Sequence, residues 1–219
     1  MSLLSCVEVE THSNPVASVI WLHGLGADGH DFEPIVPVLN LPANLPVRFV
    51  FPHSPKIPVT INGGMVMPAW YDILDMSIER KVDATQLVAN AKSIHQLIDR
   101  EIERGVPADK IIIAGFSQGG AVALEAALSY PKALAGLMAM STYFATKDSV
   151  EVSAANASLD TLVMHGSQDP VVPPSLGEQL VNALKQKGFT PAFKSYPMPH
   201  AVCQEQIADI SAWLQQRLA

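Results

Sequence analysis

The chain has 219 residues, 48% hydrophobic and 16% charged, and 14 Lys and Arg against 21 Asp and Glu give a formal net charge of −7. That length suits one large domain or two small ones, and so apolar a composition excludes a disordered chain. The acidic balance argues against a general nucleic-acid binder and against attraction to an anionic membrane surface.

Mean hydropathy is +0.21, but the apolar runs, such as 111–114 and 133–140, fall far short of the ~20 residues of a spanning helix. Leu3-Leu4-Ser5-Cys6 has the look of a lipoprotein cleavage site, yet no basic segment or apolar stretch precedes it, so it is not read as one. A soluble, cytoplasmic protein without membrane insertion is expected. Cys6 and Cys203 match no zinc spacing and are expected as free thiols.

The first strand signal is the apolar run 17–22, which ends at His23-Gly24. Residues 41–68 hold six prolines (42, 46, 52, 55, 58 and 68) and Gly63-Gly64, so a short strand at 47–51 followed by a long loop is expected there. Asp83, with Gln86 three residues on, has the capping-box pattern. Leu87, Ala91, Ile94, Ile98 and Ile102 then keep helical spacing up to Gly105. Residues 111–115 read as a buried strand and 120–128 as an Ala-rich helix. Strands are expected at 134–140, 161–165 and 192–196, with a helix over 175–187. Ile207, Ile210, Trp213 and Leu214 line one face of a last helix. Buried strands alternating with helices imply an α/β class and a mainly parallel sheet covered on both faces. Ligands of such sheets sit at the carboxyl ends of the strands.

Those strand ends carry the chemistry. Gly115-Phe116-Ser117-Gln118-Gly119 is a G-x-S-x-G run between a strand and a helix, the setting of a nucleophile elbow. A serine nucleophile needs a base that is oriented by an acid. In this architecture the chain order is serine, acid, histidine. Asp169 lies on the loop after strand 161–165, and His200 lies after strand 192–196. Asp160 precedes its strand, at the wrong edge. His23 precedes the serine, His165 at a strand end is expected to serve packing, and His12, His30, His53 and His95 have no partner. Backbone N–H groups of Gln118 and Leu25 are the candidate oxyanion hole, Leu25 because its loop, Gly24-Leu25-Gly26, is free to turn N–H groups toward a substrate. Gly24, Gly26 and Gly29 also spell G-x-G-x-x-G, but no acidic residue follows ~20 positions on, which argues against dinucleotide binding.

At these residues the sequence resembles the carboxylesterase family (phospholipase/carboxylesterase) that includes bacterial carboxylesterases and acyl-protein thioesterases. The resemblance spans residues 17–217. It rests on Leu22-His23-Gly24-Leu25-Gly26, on Gly63-Gly64 with Ala69-Trp70-Tyr71-Asp72, on Gly115–Gly120, on His165-Gly166-Ser167-Gln168-Asp169 and on Tyr196-Pro197-Met198-Pro199-His200. It implies an α/β-hydrolase fold, a mostly parallel central sheet flanked by helices without a large cap domain. It also implies Ser117, Asp169 and His200 as a triad, Leu25 and Gln118 as the oxyanion hole, and no metal or organic cofactor. By the same resemblance the segment 57–70 lines the acyl pocket, with Val66, Met67 and Trp70 as wall residues. Pro199 departs from the Gly that many members carry before the histidine, so a changed His loop, with altered pKa and rate, is expected, but not loss of the triad.

Residues 1–219 are therefore expected to form a single α/β-hydrolase domain with a comparatively open site. The expected activity is that of a serine carboxylesterase acting on short-to-medium acyl esters through an acyl-enzyme. Acyl-protein thioesterase or lysophospholipase activity on the same site is the alternative, ahead of a non-catalytic acyl- or lipid-binding module. The expected partners are a small acyl ester or thioester and, because the family includes dimers, a second copy of the chain.

Overall fold

Short β-branched and apolar runs form the strands, and the amphipathic runs between them form the helices. The computed structural model describes residues 3–77 and 80–219. The chain begins with β1 (Cys6–Glu10), β2 (Ala17–Leu22), α1 (Ile35–Leu39) and β3 (Val47–Pro52). Two small ribbons follow, β4 (Lys56–Val59) with β5 (Met65–Pro68), and β6 (Ile73–Asp75) with β7 (Lys81–Val82). Helices and strands then alternate: α2 (Ala84–Glu103), β8 (Ile111–Phe116), α3 (Gln118–Ser129), β9 (Gly136–Met140), β10 (Thr161–Gly166), α4 (Pro174–Gln186), β11 (Ala192–Tyr196) and α5 (Gln204–Leu218).

Seven strands make one sheet in the order β1-β3-β2-β8-β9-β10-β11. β1 runs antiparallel to β3, and the other neighbours are parallel. Side chains two apart on a strand share a face, and the two faces feed two cores. Ile20, Leu22, Ile111 and Ile113 pack with Leu87, Ile94, Leu124 and Leu180 of α2, α3 and α4. Val19, Trp21, Phe49 and Ile112 pack with Ile35 and Leu39 of α1 and with Ile210 and Leu214 of α5. The sheet is covered on both faces, as the unbroken apolar runs imply.

Asp83 caps α2, its carboxylate accepting from the Gln86 N–H at 3.0 Å. The reciprocal half of the box is missing: the Gln86 side chain instead accepts from the Asp72 N–H at 2.8 Å, tying the helix to the segment before it. The long loop expected between residues 51 and 68 is corrected to the β4–β5 ribbon, and the β6–β7 ribbon beyond it was not among the expected elements. Pro58 is accommodated because, among the described residues, β4 pairs with β5 alone, Pro58 standing opposite Val66. β1 and the five-residue α1 were not among the expected elements. Among the described residues no helix is long and apolar enough to cross a membrane.

Candidate active site

Ser117 sits at the turn from β8 into α3 with φ 54° and ψ −121°, a backbone state costing about 1–3 kcal/mol for a side-chain-bearing residue. The surroundings hold it there. The Ser117 N–H donates to Met140 O at 2.9 Å, and the Thr142 hydroxyl donates to Ser117 O at 2.6 Å. The flanking glycines are sterically obligatory. A Cβ at Gly115 would stand 2.4 Å from Gly119 O, and one at Gly119 would stand 2.4 Å from His23 O.

That last contact brings the end of β2 against the elbow. Gly24 lies on Ser117, its imagined Cβ 3.5 Å from the Ser117 Cβ. The His23 ring uses both nitrogens here: Nε2 accepts from the Ser54 N–H at 3.2 Å, so Nδ1 carries the proton and donates to Gly24 O at 2.7 Å. A trans peptide directs its N–H opposite to its C=O. The Leu25 N–H therefore points away from His23, and neither it nor the Gln118 N–H is hydrogen-bonded among the described residues. The Gln118 side chain locks the same region, accepting from the Trp70 N–H at 2.8 Å and donating to Tyr71 O at 2.6 Å.

Trp70, expected on the groove wall, is fully buried. Its indole N–H donates to His23 O at 2.9 Å, so it buttresses the Gly24–Gly26 turn rather than facing an acyl chain. Val66 is 64% exposed on β5 and Met67 beside it is half-buried. The foot of this ribbon abuts the same turn, the Gly26 N–H donating to Pro68 O at 2.9 Å.

Asp169 and His200 meet, Nδ1 to Oδ2, at 2.6 Å. The other carboxylate oxygen accepts from the N–H groups of Val171 and Val172, each at 2.8 Å. The loops bearing the two residues are stitched together, Ser167 N–H to Tyr196 O at 2.7 Å and Gln168 N–H to Met198 O at 3.2 Å. Gly166 permits this approach, since a Cβ there would stand 2.4 Å from Met198 O. Pro199 leaves the Asp169–His200 contact intact. The His200 ring lies against that of Phe116, the residue before Ser117, centroids 4.7 Å apart. No hydrogen bond joins the Ser117 hydroxyl to His200 among the described residues; such bonds commonly tighten only when substrate binds. Among the expected site residues, then, Ser117, Asp169, His200, Leu25 and Gln118 converge at one edge of the sheet. Thr142 was not foreseen, although it too follows a strand end, that of β9.

The sequence matches the Phospholipase/Carboxylesterase family over residues 4–218. The chain belongs to that family. Acyl-protein thioesterase 1 of Neurospora crassa is 39% identical over 213 residues, which cover 92% of this chain and 87% of that protein. Arabidopsis thaliana SOBER1 superimposes with a TM-score of 0.86 at 30% identity, over 93% of this chain and 99% of that one. Zea mays acyl-protein thioesterase 2 gives 0.85 at 29% identity, over 98% and 99%. This member of the phospholipase/carboxylesterase family thus has the α/β-hydrolase fold and is a hydrolase.

Burial pushes His23, His95 and His165 below the ordinary imidazole value of 6.5. The unfolded chain therefore binds more protons than the folded one below about pH 6.5, and stability there rises with pH. The stability these rings confer is complete above that value and is lost as pH falls toward their lowered folded values. The melting temperature should accordingly drop between about pH 7 and about pH 5, and a calorimetric series that stayed flat there would contradict it.

Proposed function

We propose that this chain is a serine carboxylic ester hydrolase in which Ser117 is the nucleophile, His200 the base and Asp169 the acid. The observation that carries the reading is the 2.6 Å contact of Asp169 with His200 Nδ1, on a ring lying against the residue before the strained Ser117. Holding the proton on Nδ1 leaves Nε2 as the acceptor. Nε2 takes the serine proton as Oγ attacks an acyl carbonyl, then delivers it to the departing alcohol or thiol. The N–H groups of Leu25 and Gln118 receive the oxyanion, and the N-terminus of α3 adds its dipole. Water, deprotonated by His200, then attacks the acyl-enzyme and releases the acid. Val66 and Met67 supply apolar surface for the acyl chain.

The chemistry is the same for an ester and a thioester. The 39% identity to a protein named acyl-protein thioesterase 1 favours including thioesters among the substrates. A fluorophosphonate probe followed by peptide mass spectrometry should place the label on Ser117; folded protein left unlabelled would point instead to a silent acyl-binding module. Matched acyl esters and thioesters of graded chain length then report the preference.

A further inference from the structure

His165 was expected to serve packing, yet its ring sits where it controls the acid. It projects from β10, an interior strand of the sheet, and is 1% exposed. Its Nε2 lies 2.8 Å from Val172 O and 3.7 Å from Asp169 Oδ2. Both neighbours are acceptors, whereas Nδ1 has no partner among the described residues. The proton therefore resides on Nε2. The opposite edge of the ring is pressed by bare backbone of α4: a Cβ at Gly177 would stand 2.5 Å from Nδ1. The imidazole is wedged between a helix and the turn 169–172. That turn lies outside any helix or strand, and it supplies both N–H groups that hold Asp169 Oδ1.

We infer that His165 is a positioning residue: its Nε2–H grips Val172 O, anchors the 169–172 turn to the sheet, and so sets the angle at which Asp169 meets His200. The inference rests on the assignment of Asp169 and His200 made above. A free carboxylate loop would sample many orientations, and misplacing a catalytic group by about 1 Å can cost on the order of 100-fold in rate. Burial also lowers the ring's pKa below the ordinary imidazole value, and a charged ring would lack an acceptor at Nδ1.

His165→Gln keeps a donor near the Nε2 position, and His165→Leu removes it at similar volume. We expect His165→Leu to lower kcat on the order of 10- to 100-fold with KM nearly unchanged. His165→Gln should recover most of that loss at a comparable melting temperature. Wild-type kcat in His165→Leu, or equal losses in two folded variants, would overturn the inference. Nitrogen NMR of the unsubstituted protein tests it without any variant: at about pH 8 the ring should be neutral and carry its proton on Nε2. Protonation on Nδ1 would overturn the inference even if neither variant folds. Failure of the underlying functional reading shows differently, as undiminished hydrolysis by Ser117→Ala.

Discussion

Ser117→Ala should lower kcat for a short acyl ester on the order of 10⁶-fold while leaving the fold in place. The hydroxyl makes no hydrogen bond among the described residues, and the Thr142 contact is to the backbone oxygen of residue 117, which alanine retains. Alanine also keeps a Cβ, so the strain at φ 54° is neither relieved nor increased. Steady-state kinetics beside a thermal melt therefore separate chemistry from stability. A variant that melts with the wild type but turns over substrate at a similar rate would sink the assignment.

Asp169→Asn should cost on the order of 10⁴-fold in kcat, again with little change in melting temperature. The reason lies in which oxygen does what. Oδ1 accepts two backbone N–H groups, so the asparagine oxygen must remain there or leave two donors unpaired. Its NH₂ group then faces His200 Nδ1, where the carboxylate now accepts at 2.6 Å. Two donors cannot face each other, so the imidazole shifts its proton to Nε2 and ceases to be a base toward Ser117. Slow fluorophosphonate labelling and low kcat should appear together. Near-normal turnover would mean that His200 takes its orientation from another group.

Much of this was legible in the linear pattern because local physics decides it. Unbroken apolar runs mark strands buried on both faces, and the carboxyl ends of those strands located Ser117, Asp169 and His200. The glycines at 115 and 119 were legible because only a bare Cα fits so close to another backbone. What stayed hidden depends on distant partners. Trp70 reads equally well as core or groove wall; it is buried because His23 and Gln118, far off in sequence, accept its two N–H groups. The β4–β5 ribbon was masked by prolines, which a two-stranded ribbon tolerates and a central strand does not, whereas β6 and β7, three and two residues long, are too short to show a strand pattern. β1 is half polar and stands at the sheet edge, so its alternation, Cys-Val-Glu-Val-Glu, is short and easily passed over. His165 shows the same limit, since nothing in the local sequence reveals that Val172 folds back onto it.

Among the described residues the strands of the β4–β5 ribbon pair only with each other; its foot meets the turn after β2 through Gly26 N–H to Pro68 O, and Thr60, just after β4, donates its N–H and hydroxyl to the Asp72 carboxylate. Its tip at Gly63 and Gly64 has nothing within 4 Å of either imagined Cβ. Residues can be inserted there without disturbing the seven-stranded sheet or the spacing of the elbow. With Val66 and Met67 in the acyl-binding role proposed for them, selection can retune chain preference through this ribbon while the proposed triad is inherited unchanged.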